Sequence, residues 1–202
     1  MWIIWQYSRE QRKIALFLQP NTKNRIVLTI NQQIAGLESA DEKQILKSLA
    51  VIKGAGNIKV LRPMAKLLLE FPDTKISTEV IEIFSSLKTS KAVDEIMEIL
   101  KDDSFAPVHQ KLLPTIWNTQ LDYSFYVADF VLFAADGDFL QALDCLTILE
   151  NMIGPFEERH ILESQWHLKE WMEDNAPKEE RKKQIMSDIA IFVKEADQGI
   201  EA

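Results

Sequence analysis

Apolar residues recur at three- and four-residue steps along most of the chain. Ile45, Leu46, Leu49 and Ile52 mark one stripe, Ile58, Leu61, Ala65 and Leu68 a second, and Val80, Ile81, Phe84 and Leu87 a third. That spacing gathers the apolar side chains on one face of an α-helix, whereas a half-buried strand would alternate them. The best strand candidate is a hairpin of residues 13–18 and 25–30 around Gln19-Pro20-Asn21-Thr22-Lys23-Asn24. Helices are the preferred reading there too, because Ile26, Ile30, Ile34 and Leu37 carry a helical stripe past the second run.

The spacing between helices adds a longer period. Asp41, Asp73, Asp103 and Asp138 each stand just ahead of a helical stretch, where a carboxylate can accept from free backbone N–H groups. They lie 32, 30 and 35 residues apart. Apolar positions also superpose: Leu46, Leu49 and Ile52 on Ile81, Phe84 and Leu87 at an offset of 35, and Val93, Ile96 and Ile99 on Val127, Phe130 and Phe133 at 34. A period in the thirties with two helices per period predicts an α-solenoid, in which each hairpin hides its apolar stripe against its neighbours. The expected pairs are 41–53/57–70, 74–87/90–101, 105–118/122–135 and 138–152/157–173, after an N-terminal pair, 3–18 and 24–38. A charged helix, 178–197, with Lys178-Glu179-Glu180-Arg181-Lys182-Lys183 on its solvated face, caps the stack. No Gly/Ser/Pro-rich linker divides the run, so residues 1–202 read as one domain.

The stretch Leu87 to Asp102, with its short polar turn, Ala92-Val93 entry and terminal Lys101-Asp102, resembles the second helix of a HEAT-like repeat. Asp103-Ser104-Phe105-Ala106-Pro107-Val108-His109-Gln110-Lys111-Leu112-Leu113 resembles the first, with His109 near the usual arginine and Leu112 in place of the usual alanine. The similarity is strongest over 73–103 and extends across 41–135. It implies an all-α, right-handed α-solenoid of about five armadillo-type hairpins, whose second helices line a concave binding side. Such motifs specify architecture and leave activity open.

Composition narrows the function. With 23 Lys and Arg against 31 Asp and Glu, the net charge is -8 and the pI near 5.0, which argues against nucleic-acid phosphate as the main partner. Residues 1–30 nevertheless carry +4 (Arg9, Arg12, Lys13, Lys23 and Arg25 against Glu10), leaving -12 for the rest. The segment Trp2-Ile3-Ile4-Trp5 beside those bases is expected to cover the end of the first repeat; the alternative is an anionic membrane surface, met through residues 1–19. No run approaches the roughly 20 apolar residues of a membrane span. One cysteine, Cys145, sits among Leu143, Leu146 and Leu149 and reads as core, in keeping with a reducing, cytoplasmic compartment.

Catalytic motifs are not evident. Gly54-Ala55-Gly56 lacks the lysine and preceding strand of a phosphate loop and reads as a turn. Glu157, His160, Glu163 and His167 share one helical stripe with the side chains of a divalent-metal site, or of a hydrated charged face. No cofactor or metal is expected. The leading expectation is a non-enzymatic scaffold that holds a protein segment through aromatic anchors and charge complementarity. The residues expected to carry it are Lys59 and Lys66, then Asp94, Glu95 and Glu98, then Trp117, Tyr126 and Asp129. Within the cluster Trp117, Tyr123, Phe125, Tyr126, Phe130 and Phe133, the last two match the buried stripe. The alternative is an enzyme resembling HEAT-like DNA glycosylases or bilin lyases, for which Trp117 with Asp122, or Tyr126 with Asp129, are the pairs to examine.

Overall fold

The computed structural model describes residues 29–54, 57–174 and 176–200. The expected helix 3–18, the alternative hairpin strands up to residue 28, the basic Trp-containing segment, and Ala55 and Gly56 of the Gly54 turn lie outside them. Among the described residues every regular element is helical. Ten α-helices follow one another: α1 (Ile30–Leu37), α2 (Glu42–Ile52), α3 (Leu61–Glu70), α4 (Lys75–Ser85), α5 (Lys91–Leu100), α6 (His109–Thr119), α7 (Val127–Asp136), α8 (Phe139–Glu150), α9 (Glu158–Glu173) and α10 (Glu180–Ile200). Short 3-10 turns at Ile58–Val60, Asp103–Val108 and Ser124–Tyr126 lead into α3, α6 and α7.

Capping explains most of the boundaries. Of the expected helix 24–38, the described residues show Ile30–Leu37, opened by a reciprocal capping box of Thr29 and Gln32. Asp41 and Asp138 cap α2 and α8 as expected, accepting from the backbone N–H of Lys43 and Gln141. The other two Asp markers are displaced by one residue. Thr74 caps α4, while Asp73 takes a left-handed φ of 60° and pairs with Lys111 at 3.0 Å. Asp102, not Asp103, accepts from Ser104 N and opens the 3-10 turn ahead of α6.

Packing runs in two interleaved series. The even helices follow one another, α2 on α4, α4 on α6, α6 on α8 and α8 on α10. Among the odd helices α1 packs on α3, α3 on α5 and α7 on α9. The close consecutive pairs are α1–α2, α3–α4, α7–α8 and α9–α10, one helix out of step with the expected pairing. Three of these pairs are joined by the short links 38–41, 71–74 and 137–138, which favour antiparallel neighbours.

The core lies between the two series. Phe84, Phe105 and Phe130 are completely enclosed, together with Ile45, Leu49, Met64, Leu68, Ile96 and Leu149. Cys145 is buried as expected, and burial pushes its thiol far above the usual range, so it is inert. Gly36 permits the closest approach, since a Cβ there would stand 2.1 Å from Ser48 Oγ. Lys182 of α10 reaches back to α7. Its Nζ donates to the carbonyl of Ala135 at 2.6 Å and to that of Gly137, capping the C-terminus of α7.

Candidate functional site

The expected site residues divide between two surfaces. Lys59 and Lys66, before and within α3, are exposed; Asp94, Glu95 and Glu98 follow on α5, and Tyr126 and Asp129 at the start of α7. Trp117 belongs elsewhere, near the C-terminus of α6 in the even series.

On the first surface, α5 and α7 are bridged by side chains. The Tyr126 hydroxyl donates to Asp94 Oδ1 at 2.8 Å. Lys101 pairs with Asp129 at 2.8 Å and sits 5.1 Å from the centre of the Tyr126 ring. Burial, the bond to Asp94 and the charges of Asp94, Asp129 and Glu98 push the Tyr126 hydroxyl up to about 12. Tyr126 and Asp129 therefore join the same cluster through Lys101. A parallel tie joins α3 to the end of α5. Arg62 Nη1 meets Asp102 at 2.6 Å, its Nη2 donates to the Glu98 carbonyl, and its guanidinium covers Phe105 at 5.3 Å. Among the described residues the carboxylates of Glu95 and Glu98 form no ion pair.

Phe125 belongs to the aromatic cluster but not to the residues expected to carry binding. It is 52 % exposed, and the guanidinium of Arg159 lies over its face at 5.1 Å. His160 packs edge-on against it with centroids 4.6 Å apart. Farther along α9, Leu162 and Trp166 are also more than half exposed. Their i, i+4 spacing outside the buried stripe is the sequence signal that marks them. The expected stripe of Glu157, His160, Glu163 and His167 does not form one hydrated face. His160 is half-buried against Phe125, and His167 is buried beside Trp166. Among the described residues no three His, Cys, Asp or Glu side chains gather as a metal site.

Within the aromatic cluster the outcome differs residue by residue. Phe130 is wholly buried, Phe133 is partly buried against the core, and Tyr123 is buried edge-on to Phe130. His109 is enclosed too, tilted on Phe133, and burial holds it below the usual range, hence neutral.

The second surface is a cavity of about 610 Å³ between the C-terminal ends of α6 and α8. Ile116, Leu121, Ile148, Met152 and Ile153 form its apolar walls, and Trp117, 43 % exposed, stands at its side. Asp122 lines the same space, so the structure brings together the Trp117–Asp122 pair anticipated from the sequence. The Ser124 hydroxyl and backbone N–H hold the Asp122 carboxyl below its usual range, so it is ionised. A second cavity, of about 470 Å³, lies between the ends of α2 and α4. Lys53 and Lys88 stand at its rim.

No described helix is long and apolar enough to cross a membrane. Comparison with family models, with curated proteins and with solved structures gives no match.

Proposed function

We propose that the chain is a HEAT-like α-solenoid acting as a non-enzymatic scaffold, which holds a protein segment along the face of α3, α5, α7 and α9. The interleaved packing supports the architecture: the even helices α2 to α10 each meet the next even one, and α1–α3, α3–α5 and α7–α9 meet among the odd ones, as in stacked hairpins. One observation carries the binding reading: Phe125, over half in water and capped by Arg159, stands between the acidic α5 and the exposed Leu162 and Trp166 of α9. An aromatic held rigid by its neighbours offers large contact area at little entropic cost. Glu95 and Glu98 would select a basic stretch beside it. The buried, unreactive thiol suits a reducing compartment such as the cytoplasm.

The test compares wild type with the double variant Phe125→Ala, Glu98→Ala in affinity capture from native lysate. A specific partner should fall by about tenfold or more, while helical circular dichroism stays the same. Equal recovery would remove this face from consideration. Tyr126 is a poor probe, since its loss also releases Asp94.

A second reading, an enzyme acting on DNA, has one feature in its favour: Trp117 and Asp122 line a common cavity. The charge of -8 opposes it. Retention on duplex DNA at low salt would support it, and passage through the column would end it.

A further inference from the structure

We infer that the cavity between the ends of α6 and α8 is a binding site for an organic cation, an apolar body that bears a protonated amine. The inference stands on the cavity alone and is independent of the scaffold face.

Three features lead there. The first is size: about 610 Å³ lies within the roughly 300–1,000 Å³ of small-molecule sites and exceeds what one buried water needs. The second is the wall. Ile116, Leu121, Ile148 and Met152 supply apolar surface, and Ile153 at the rim is 97 % exposed, a large side chain left in water at the mouth of an apolar hollow. The third is the sign of the polar groups. Among the described residues lining the cavity none is basic, and Asp122 is the one carboxylate. No basic side chain among the described residues pairs with it. Asp122 Oδ1 accepts from Ser124 N at 2.9 Å, which fixes the group from outside the cavity and neutralises no charge. Asn151 spends its amide N–H on the Thr147 carbonyl at 2.7 Å, leaving its side-chain oxygen as an acceptor.

An ionised carboxylate, an amide oxygen and the face of an indole all favour a donor that carries positive charge. An ammonium can pair with the Asp122 carboxylate, and an indole ring lining the same space offers such a charge a π face. An anion would be repelled by Asp122, and a neutral apolar molecule would make no use of its charge. The apolar walls then require a body beyond the amine, so a simple metal cation or ammonium itself does not fit.

Three probes of matched size test this on the full chain: 4-phenylbutylammonium, 4-phenylbutan-1-ol and 4-phenylbutanoate. The protein is labelled with 5-fluorotryptophan, and the Trp117 fluorine signal is assigned from Trp117→Phe. The ammonium probe should shift that signal saturably, with the alcohol about tenfold weaker and the carboxylate weaker still. Asp122→Asn, which retains the bond from Ser124 N, should weaken the ammonium probe by about tenfold and leave the alcohol unchanged. Equal binding of all three probes, or an ammonium affinity indifferent to Asp122→Asn, overturns the proposal. In a further arm, acetyl-Leu-Lys-Leu-amide competes with the ammonium probe. Displacement assigns the cation to a lysine of a protein segment, and failure to displace assigns it to a free small molecule.

Discussion

The cavities between α2 and α4 and between α6 and α8 occupy corresponding places 64 or 65 residues apart. Ile52 corresponds to Ile116, Ile83 to Ile148, and Leu87 to Met152. The rims differ: Lys88 answers to Ile153, and Lys53, paired with Glu82 at 2.5 Å, stands where Trp117 stands in the other. Between them Lys88 also reaches the Thr119 carbonyl at 3.5 Å, so this cation is committed to the scaffold. The two hollows teach that the repeating apolar positions create the space, while the residues just past each helix end decide what it accepts. One rim is basic and internally engaged. The other is acidic, aromatic and open.

The strongest way to break this comparison is to ask whether both hollows belong to one cooperative unit. Phe84→Ala on α4 and Phe130→Ala on α7 should each lower stability by about 3–5 kcal/mol in chemical denaturation, since both rings are fully enclosed. A single transition in each variant makes the comparison one of two sites on one body. Two separated transitions would make it a comparison of two bodies.

The ties between odd helices should then fail at opposite ends of the pH scale. Tyr126, raised to about 12 from its ordinary 10, favours the fold while it remains protonated. Its contribution should hold below pH 10 and decline from there toward 12. Tyr126→Phe should flatten part of the protein's decline over that range; the remainder belongs to Tyr123 and Cys145, whose hydroxyl and thiol burial also raises. In the α3–α5 tie, the Ser104 hydroxyl and then Arg62 lower Asp102 to about 2 from 3.8. Its contribution is present above pH 3.8 and lost as pH falls toward 2, and Arg62→Ala should reduce that loss. Denaturation midpoints measured across both ranges check the two signs.

The smallest effect on stability sharpens the comparison most. Ile153→Lys places at the acidic rim the residue type found at the basic one. The side chain is in water, so stability should change by no more than about 0.5 kcal/mol. Binding of the ammonium probe should nevertheless fall, because the new charge competes for Asp122. Unchanged binding would mean that the rim does not set the selectivity.

Periodicity alone placed nearly every described helix, because a buried stripe must recur every three or four residues whatever surrounds it. Boundaries slipped where a neighbour competed to cap, as Thr74 did beside Asp73 and Asp102 beside Asp103. The aromatic cluster was harder. The 3-10 turn at Ser124–Tyr126 advances each residue by about 120° instead of 100°, so an α-helical register carried back from α7 misplaces Phe125. The cavities were not legible at all. Each arises where two helix ends about thirty residues apart come together, and nothing in the local spacing records the gap between them. Trp117 and Asp122 were both noted in the sequence, but only the fold shows that they share a space.

The reach of Lys182 to Ala135 and Gly137 has a bearing on synthesis. Until α10 is made, the end of α7 is held only from its own side, by the Gly137 N–H and the Gln141 amide on the Phe133 carbonyl. That end is tied off some forty-five residues after it was made. A message broken before Lys182 therefore yields a chain that lacks this last tie.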